Sequence, residues 1–318
     1  MSYYSIQEKA RAEIENRRNT ARAEADYRSE IIRSMSEEVA EIDEELSKTG
    51  MLIFKTACSG GDIAPIKERN KQLQHRRREI IISLGYPEDY TDVKYSCTDC
   101  SDSGYIDGVK TCHCLKELII KERIAASAMG NLIEKQSFDS FSLKCYDYDE
   151  KVLERMTAIL AMAKNYVKNF SKRKDNLLLI GPTGTGKTHI STAIARELIH
   201  EGYDVIYDST QNILSDFEDD KFRGGWNSEN RSDKYLECTL LIIDDLGTEM
   251  PSQFVTAALY ALVNDRLLAG KAMIISTNLN TEDMTRRYNP QIASRLRGSF
   301  TRVAFLGDDI RVKKNWGM

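Results

Sequence analysis

The feature that most constrains this chain is an eight-residue run, Gly181-Pro182-Thr183-Gly184-Thr185-Gly186-Lys187-Thr188, set directly behind the apolar stretch Leu177 to Ile180. An apolar strand that ends in a glycine-rich turn and then opens a helix leaves few choices of fold. Glycines at 181, 184 and 186 let backbone N–H groups turn inward around an anion without Cβ clashes. The helix that follows offers its positive N-terminal end to the same charge. Lys187 is then placed to reach β- and γ-phosphates, and the Thr188 hydroxyl to ligate Mg2+.

Leu240-Leu241-Ile242-Ile243-Asp244-Asp245 is the matching second element. Four apolar residues bury a strand, and two carboxylates emerge at its C-terminal end, where open parallel sheets bind ligands. Asp244 is expected in the Mg2+ shell, and Asp245 to orient or deprotonate the attacking water. Strands are expected over Asn176–Ile180, Tyr203–Asp208, Thr239–Asp244, Ala272–Ser276 and Val303–Leu306, with helices between, among them Ala158–Phe170 and Thr188–Glu201. That alternation predicts a parallel sheet covered on both faces. Asn278 ends the strand Ile274-Ile275-Ser276-Thr277 with an amide able to position water near the γ-phosphate. Arg295 and Arg311 are candidates for neutralising charge in the transition state.

Ahead of this region the chain changes character. Residues 1–49 hold no Gly and no Pro, and Ile32, Met35, Val39, Ile42 and Leu46 repeat at 3-4 spacing. Gly50 reads as a stop, after which Ile63, Ile66, Leu73, Ile80 and Leu84 continue the spacing, interrupted by Asn70 and Arg77. Residues 1–90 are therefore expected to form a hairpin of two antiparallel helices, the stripe either closing the hairpin on itself or left partly open to dock a partner. In residues 91–130, Cys97-x2-Cys100 is followed by Cys112-x-Cys114, a spacing able to supply four thiolates to one tetrahedral Zn2+. His113 is an alternative ligand to Cys112 or Cys114, and a helix is expected from Leu115 to Met129. Cys58, Cys145 and Cys238 have no spacing partner and read as packing residues. Residues 131–150, with Phe138 and Phe141, are expected to be a linker, and residues 151–318 the nucleotide-binding domain.

Composition bounds the setting. At 41% hydrophobic and 30% charged residues the chain is not broadly disordered. Its formal charge of −4 means that any contact with nucleic acid needs a local basic patch. No apolar run is long enough to span a bilayer, and the first twenty residues lack the apolar stretch of a signal peptide. Seven cysteines without an export signal point to a reducing compartment. The expectation is a cytoplasmic protein with no membrane partner.

Together, GPTGTGKT, LLIIDDLG, the STN strand end, the SRL box and DIRVKK resemble the AAA+ ATPases over roughly residues 137–316, and within them the DnaC/DnaI-like helicase loaders and their IstB-like relatives. The resemblance implies that Gly181, Pro182, Thr183, Gly184, Thr185, Gly186, Lys187 and Thr188 form Walker A, and that Asp244 and Asp245 form Walker B. Asn278 takes the sensor 1 place, Arg295 matches the arginine finger acting on a neighbouring subunit, with Arg297 as runner-up, and Arg311 matches sensor 2. The second Walker B acid of the family is often Glu; the shorter Asp245 is shared by loaders and fits slow, switch-like hydrolysis. Only about a dozen residues follow the last strand, so the usual C-terminal helical lid is expected to be very short or missing.

The same resemblance implies an ATP-dependent loader of a replicative hexameric helicase, assembling as a homo-oligomer through the arginine finger. An IstB-like transposition helper is the alternative. The N-terminal helical and zinc region would grip the helicase. An insertion over Asp208–Lys234, with Phe217, Phe222, Arg223, Trp226 and Arg231, would contact single-stranded DNA, although Asp216, Glu218, Asp219 and Asp220 weaken its electrostatics. From Met284 onward eight basic residues face two acidic ones, suiting an arginine-rich subunit interface or DNA. A small-molecule P-loop kinase and a nucleotide-gated adaptor with negligible turnover are rivals from other classes.

Overall fold

The structure is a computed structural model and describes residues 3–126, 130, 132–223 and 230–314. The chain divides into two compact units, one of Ala10–Lys116 and one of Met1–Lys9 with Glu117–Met318.

Three helices dominate the first unit: α1 (Tyr3–Met35), α2 (Glu37–Cys58) and α3 (Ala64–Ser83). Two helices were expected here, and the additional break falls at Ser36. Its side chain accepts the Val39 N–H at 3.3 Å, and Glu37 and Glu38 follow in the first turn, so this point restarts a helix. Gly50 does not stop α2. A lone glycine costs a helix only about 1 kcal/mol, and α2 keeps its pairing with α3 beside it through Asn70, whose amide donates to Thr49 Oγ1 at 2.8 Å. The other polar interruption is matched in the same way, Arg77 pairing with Asp43 at 2.6 Å. Ile32, Val39, Ile42, Leu73, Ile80 and Ile81 form the buried core between the helices, whereas Met35 is left exposed.

Beyond α3, β1 (Tyr105–Ile106) and β2 (Lys110–Thr111) pair antiparallel, and α4 (His113–Ala126) follows. This helix begins two residues earlier than expected, at His113, and residues 127–129 lie outside the described residues. Cys58 is exposed at the end of α2, so it is not a packing residue.

The second unit runs α5 (Leu132–Lys135), α6 (Glu150–Asn169), β3 (Leu177–Ile180), α7 (Lys187–His200), β4 (Val205–Ser209), α8 (Thr210–Arg223), α9 (Asp233–Glu237) and β5 (Leu240–Leu246), then α10 (Gln253–Leu268), β6 (Ala272–Thr277), α11 (Thr281–Arg287), α12 (Pro290–Ser299), β7 (Thr301–Ala304) and α13 (Ile310–Lys314). The five strands from β3 to β7 form one parallel sheet in the order β4-β5-β6-β3-β7. Strand alternation sorts the core into two layers. Leu177, Leu179, Ile242 and Ile274 pack with Ile190 and Ile194 of α7 and Met156 of α6. Leu178, Leu241, Ile243 and Ile275 face the other way, onto Ile213 of α8, Leu259 of α10 and Ile292 of α12. Cys238 is buried beside Arg266, whose guanidinium, also wholly buried, donates to the carbonyls of Tyr235 and Ala272 and ties α10 to the sheet.

Residues 131–150, expected as a linker, are partly built into this unit. Ile133, Phe141 and Tyr146 are buried in the layer that holds Leu177 and Leu179. Register places the functional ends of three strands side by side: Ile180 of β3 pairs with Thr277 of β6, and Thr277 with Leu246 of β5.

Candidate nucleotide-binding site

The phosphate loop follows β3 as expected, and two of its glycines are required by geometry. Gly184 and Gly186 sit at φ +76° and +92°, in the left-handed region that side chains disfavour. A Cβ on Gly186 would lie 2.6 Å from the Tyr146 hydroxyl, and one on Gly184 would overlap the Asp309 carboxylate. Tyr146 donates to the Thr185 carbonyl at 3.2 Å, so the segment before α6 grips the loop from beneath. Lys187 Nζ donates to the carbonyls of Gly181 and Pro182 at 2.8 and 2.7 Å. Burial pulls the Lys187 pKa below the usual lysine value, and the charges of Asp245 and Asp244 oppose that shift. A loop that leaves no room for side chains and aims a buried cation inward fits a polyphosphate.

Asp244, two residues before the end of β5, is held on both oxygens. Tyr207 of β4 donates to Oδ2 at 2.6 Å, Thr188 of α7 reaches Oδ2 at 3.2 Å, and the Ser276 hydroxyl of β6 donates to Oδ1. This hydroxyl-lined carboxylate beside Thr188 is the chemistry of a Mg2+ shell. Asp245 adopts φ +55°, a conformation that costs on the order of 1–3 kcal/mol for a residue other than glycine. The strand register explains it. Ile243 pairs with Ile275 and the next aligned pair is Leu246 with Thr277, so Asp244 and Asp245 share a single opposing residue, Ser276. A regular strand would send the two carboxylates to opposite faces, whereas at this bulge both act on Lys187. Burial, and then the Asp244 charge, raise the Asp245 pKa above the usual carboxylate range; Lys187 and Arg311 pull it back.

Asn278 lies one residue past β6 and is exposed, at the level of the phosphate loop, where the Gly181 N–H donates to the Thr277 carbonyl at 3.3 Å. Arg311, in α13, is within electrostatic reach of both Lys187 and Asp245. Asp309 accepts from its backbone N–H at 2.9 Å and from its Nε at 3.3 Å, and the Ile310 N–H caps the Gly184 carbonyl at 3.1 Å. Arg295 is not brought into this group. Its guanidinium is held on α10 by Tyr260 and by Asn264 at 2.8 Å, and among the described residues no hydrogen bond links it to the phosphate loop. Arg297 Nε donates to the Ala293 carbonyl at 3.2 Å within α12.

Away from the loop, the ligand atoms of Cys97, Cys100, Cys112 and Cys114 lie within 4.8 Å of one another. Burial alone would raise the Cys100 thiol, but hydrogen bonds led by that of Cys114 bring it down to about 7, while Cys112 and Cys114 are pushed up. Burial is the main cause that raises Cys114, and four thiolates gathered this closely need a cation among them, which is what a four-thiolate zinc site supplies. Asp102, buried to 1% exposure, organises the knuckle by accepting the N–H groups of Ser96 and Cys97 at 2.8 and 2.9 Å. His113 stands beside Cys112 and Asp99, its Nδ1 3.5 Å from the Cys112 sulfur.

The insertion between β4 and β5 separates its charges. Asp216 pairs with Lys234 at 2.7 Å, Asp219 with Arg231 at 2.8 Å, and Asp220 accepts the N–H groups of Arg231 and Ser232. Phe217 lies parallel to Tyr235 at 6.4 Å and is partly buried against the core. Phe222 is 71% exposed, and Lys221 lies over both its ring and that of Phe254 on α10, at 5.4 and 5.0 Å. Trp226 and the Arg223 side chain lie outside the described residues.

The model of the IstB-like ATP binding protein family matches residues 122–295, more than half of the chain. The chain belongs to this family. It is similar to the replicative helicase loader DnaC of Escherichia coli K12, at 26% identity over 190 residues, 60% of this chain and 71% of that protein. Among solved structures, the DnaC helicase loader matches at a TM-score of 0.47 and 19% identity, covering 54% of this chain and 97% of that one. AMPPCP-bound DnaA from Aquifex aeolicus matches at a TM-score of 0.45 and 21% identity, covering 57% of this chain and 54% of that one.

Three positions in this IstB-type chain were not anticipated as part of a site: Ser276, Tyr207 and Asp102. Ser276 and Tyr207 follow the apolar starts of their strands, and that change from apolar to polar is the local signal they carry. Among the described residues, no helix is long and apolar enough to cross a membrane.

Proposed function

We propose that this chain is an ATP-dependent loader of a replicative hexameric helicase, acting in DNA replication. The observation that carries the ATPase part is the convergence of Lys187, Thr188, Asp244 and Asp245 on one edge of the sheet, with Thr188 3.2 Å from Asp244. Mg2+ held by Thr188 and Asp244 would supply charge neutralisation at the β- and γ-phosphates. Lys187 binds those phosphates, Asn278 positions the attacking water, and Asp245 orients it and accepts its proton. Arg311 offsets the developing negative charge within the same protomer, and Arg295 does so across a protomer boundary in a homo-oligomer. Zinc in the Cys97, Cys100, Cys112 and Cys114 cluster would hold the knuckle of the N-terminal unit rigid. That unit is the part proposed to grip the helicase.

Contact with single-stranded DNA is proposed at Lys221, Phe222 and Phe254. The pairing of Asp216, Asp219 and Asp220 with residues 231–234 supports this reading, because it offsets the acidic charge that argued against it. Similarity to DnaC over 60% of the chain supports a helicase as partner. The second reading, a helper ATPase in transposition, is favoured by the IstB-type family match itself. The deciding experiment mixes the purified chain, ATP and single-stranded DNA circles with either the host replicative helicase or a cognate transposase. ATP-dependent transfer of helicase onto the circles is expected; binding to the transposase alone would replace the first reading with the second.

A further inference from the structure

Ser276 is fully buried in β6, opposite the bulge of β5. Its hydroxyl carries one proton and acceptor lone pairs. The Asp245 N–H, 2.9 Å away, can only donate, which leaves the hydroxyl proton free for the Asp244 carboxylate oxygen. The direction of both bonds is therefore fixed: the Ser276 oxygen receives the Asp245 amide, and its proton goes to Asp244. One residue further along, the Thr277 hydroxyl donates to the Leu246 carbonyl at 2.6 Å and fastens the strand beyond the bulge.

We propose that Ser276 is a positioning residue for ATP hydrolysis: its hydroxyl pins the two-against-one bulge and so presents Asp244 and Asp245 together at the phosphate edge. The inference rests on the ATPase reading above. Asp244 has two other hydroxyl donors, Tyr207 and Thr188, and keeps its place without Ser276. The Asp245 amide has no such reserve, because the acceptor it donates to is the serine. Loss of the hydroxyl orphans a backbone donor in a buried strand and releases the left-handed residue that carries the base. Turnover should suffer far more than nucleotide binding.

The test compares wild type, Ser276→Ala, Ser276→Cys and Tyr207→Phe in full-length chain by ATP titration calorimetry, steady-state turnover across Mg2+ concentrations, and thermal melting. Ser276→Ala is expected to keep its ATP dissociation constant within about threefold while kcat falls roughly tenfold to a hundredfold. Ser276→Cys, which retains a weak donor and acceptor, should fall between. Tyr207→Phe removes a hydroxyl bonded to Asp244 and leaves the Asp245 amide bond intact, so it should raise the Mg2+ concentration needed for half-maximal rate with a smaller loss of kcat. A Ser276→Ala variant that turns over at the wild-type rate overturns the role, as does one whose kcat, ATP affinity and melting temperature fall together as a packing defect would make them. Wild-type chain that binds ATP without any turnover overturns the ATPase reading, a result distinct from both.

Discussion

The Arg295 guanidinium sits 4.4 Å from the ring centroid of Tyr260 and donates to that tyrosine's hydroxyl at 2.7 Å. A cation stacked and bonded on α10 is held in a set direction and is not a freely solvated surface charge. For an arginine proposed to act on a neighbour's nucleotide, this fixes where the neighbour must sit. Arg295→Ala is expected to leave ATP affinity unchanged and to abolish the rise of turnover per protomer with protein concentration. Tyr260→Leu should blunt the same rise by a few fold, since it removes the stack, worth about 0.5–1 kcal/mol at an exposed site, and leaves the arginine in place. Concentration-dependent ATPase measurements check both.

Lys187→Ala removes the cation that the loop carbonyls of Gly181 and Pro182 aim inward. ATP binding by calorimetry should weaken at least tenfold, the loss of one charge-assisted bond of about 1.5–3 kcal/mol. Melting without nucleotide should change little.

The pH dependence of turnover has a defined sign. Asp245 must be ionised to accept a proton, and burial followed by the Asp244 charge holds its pKa above the usual carboxylate range. The acid limb of kcat should therefore lie above that range. Arg311 lowers the Asp245 pKa, so Arg311→Gln should move the limb to still higher pH. A pH–rate profile in which Arg311→Gln moves the limb downward contradicts the arrangement.

Zinc content and stability of the N-terminal unit should vary together. One zinc per chain is expected by metal analysis, lost in Cys97→Ser and on treatment with a strong chelator. Loss should lower the melting of Ala10–Lys116 while leaving ATP affinity within about twofold, because the ligands lie outside the nucleotide-binding unit.

On the proposed DNA surface, Phe222→Ala should weaken single-stranded DNA binding by about 1–3 kcal/mol if one base stacks there. Lys221→Gln should lower the salt dependence by about one counterion. Arg231→Ala uncovers the Asp219 charge it pairs with and should weaken binding at low salt, the loss fading as salt screens it, so filter binding across salt concentrations separates the three.

Much of the candidate nucleotide site was legible because its information is contiguous. The loop from Gly181 to Thr188 and the strand ending in Asp244 each lie within eight residues, and their apolar runs predict both the strands and the parallel sheet. The N-terminal helices were less legible. Stripe spacing located the apolar face, but the break at Ser36 depends on one capping hydroxyl, and Gly50 was overruled by packing with α3. The linker reading of residues 131–150 missed that Phe141 and Tyr146 complete a core whose other wall comes from residues beyond 150.

By itself, then, the amino-acid order determined what repeats or clusters locally: the phosphate loop, the paired acids, the cysteine pairs, and the alternation that makes an open sheet. Only the tertiary structure decided how those pieces meet. It put Ser276 against two aspartates more than thirty residues away, turned Phe217 inward and Phe222 outward, laid Asp309 over Gly184, and stacked Arg295 on Tyr260. The reason is physical. Backbone propensity and hydrophobic period act between near neighbours along the chain, while a bulge, a hydroxyl bridge or a cation over a ring exists only once distant strands and helices have packed.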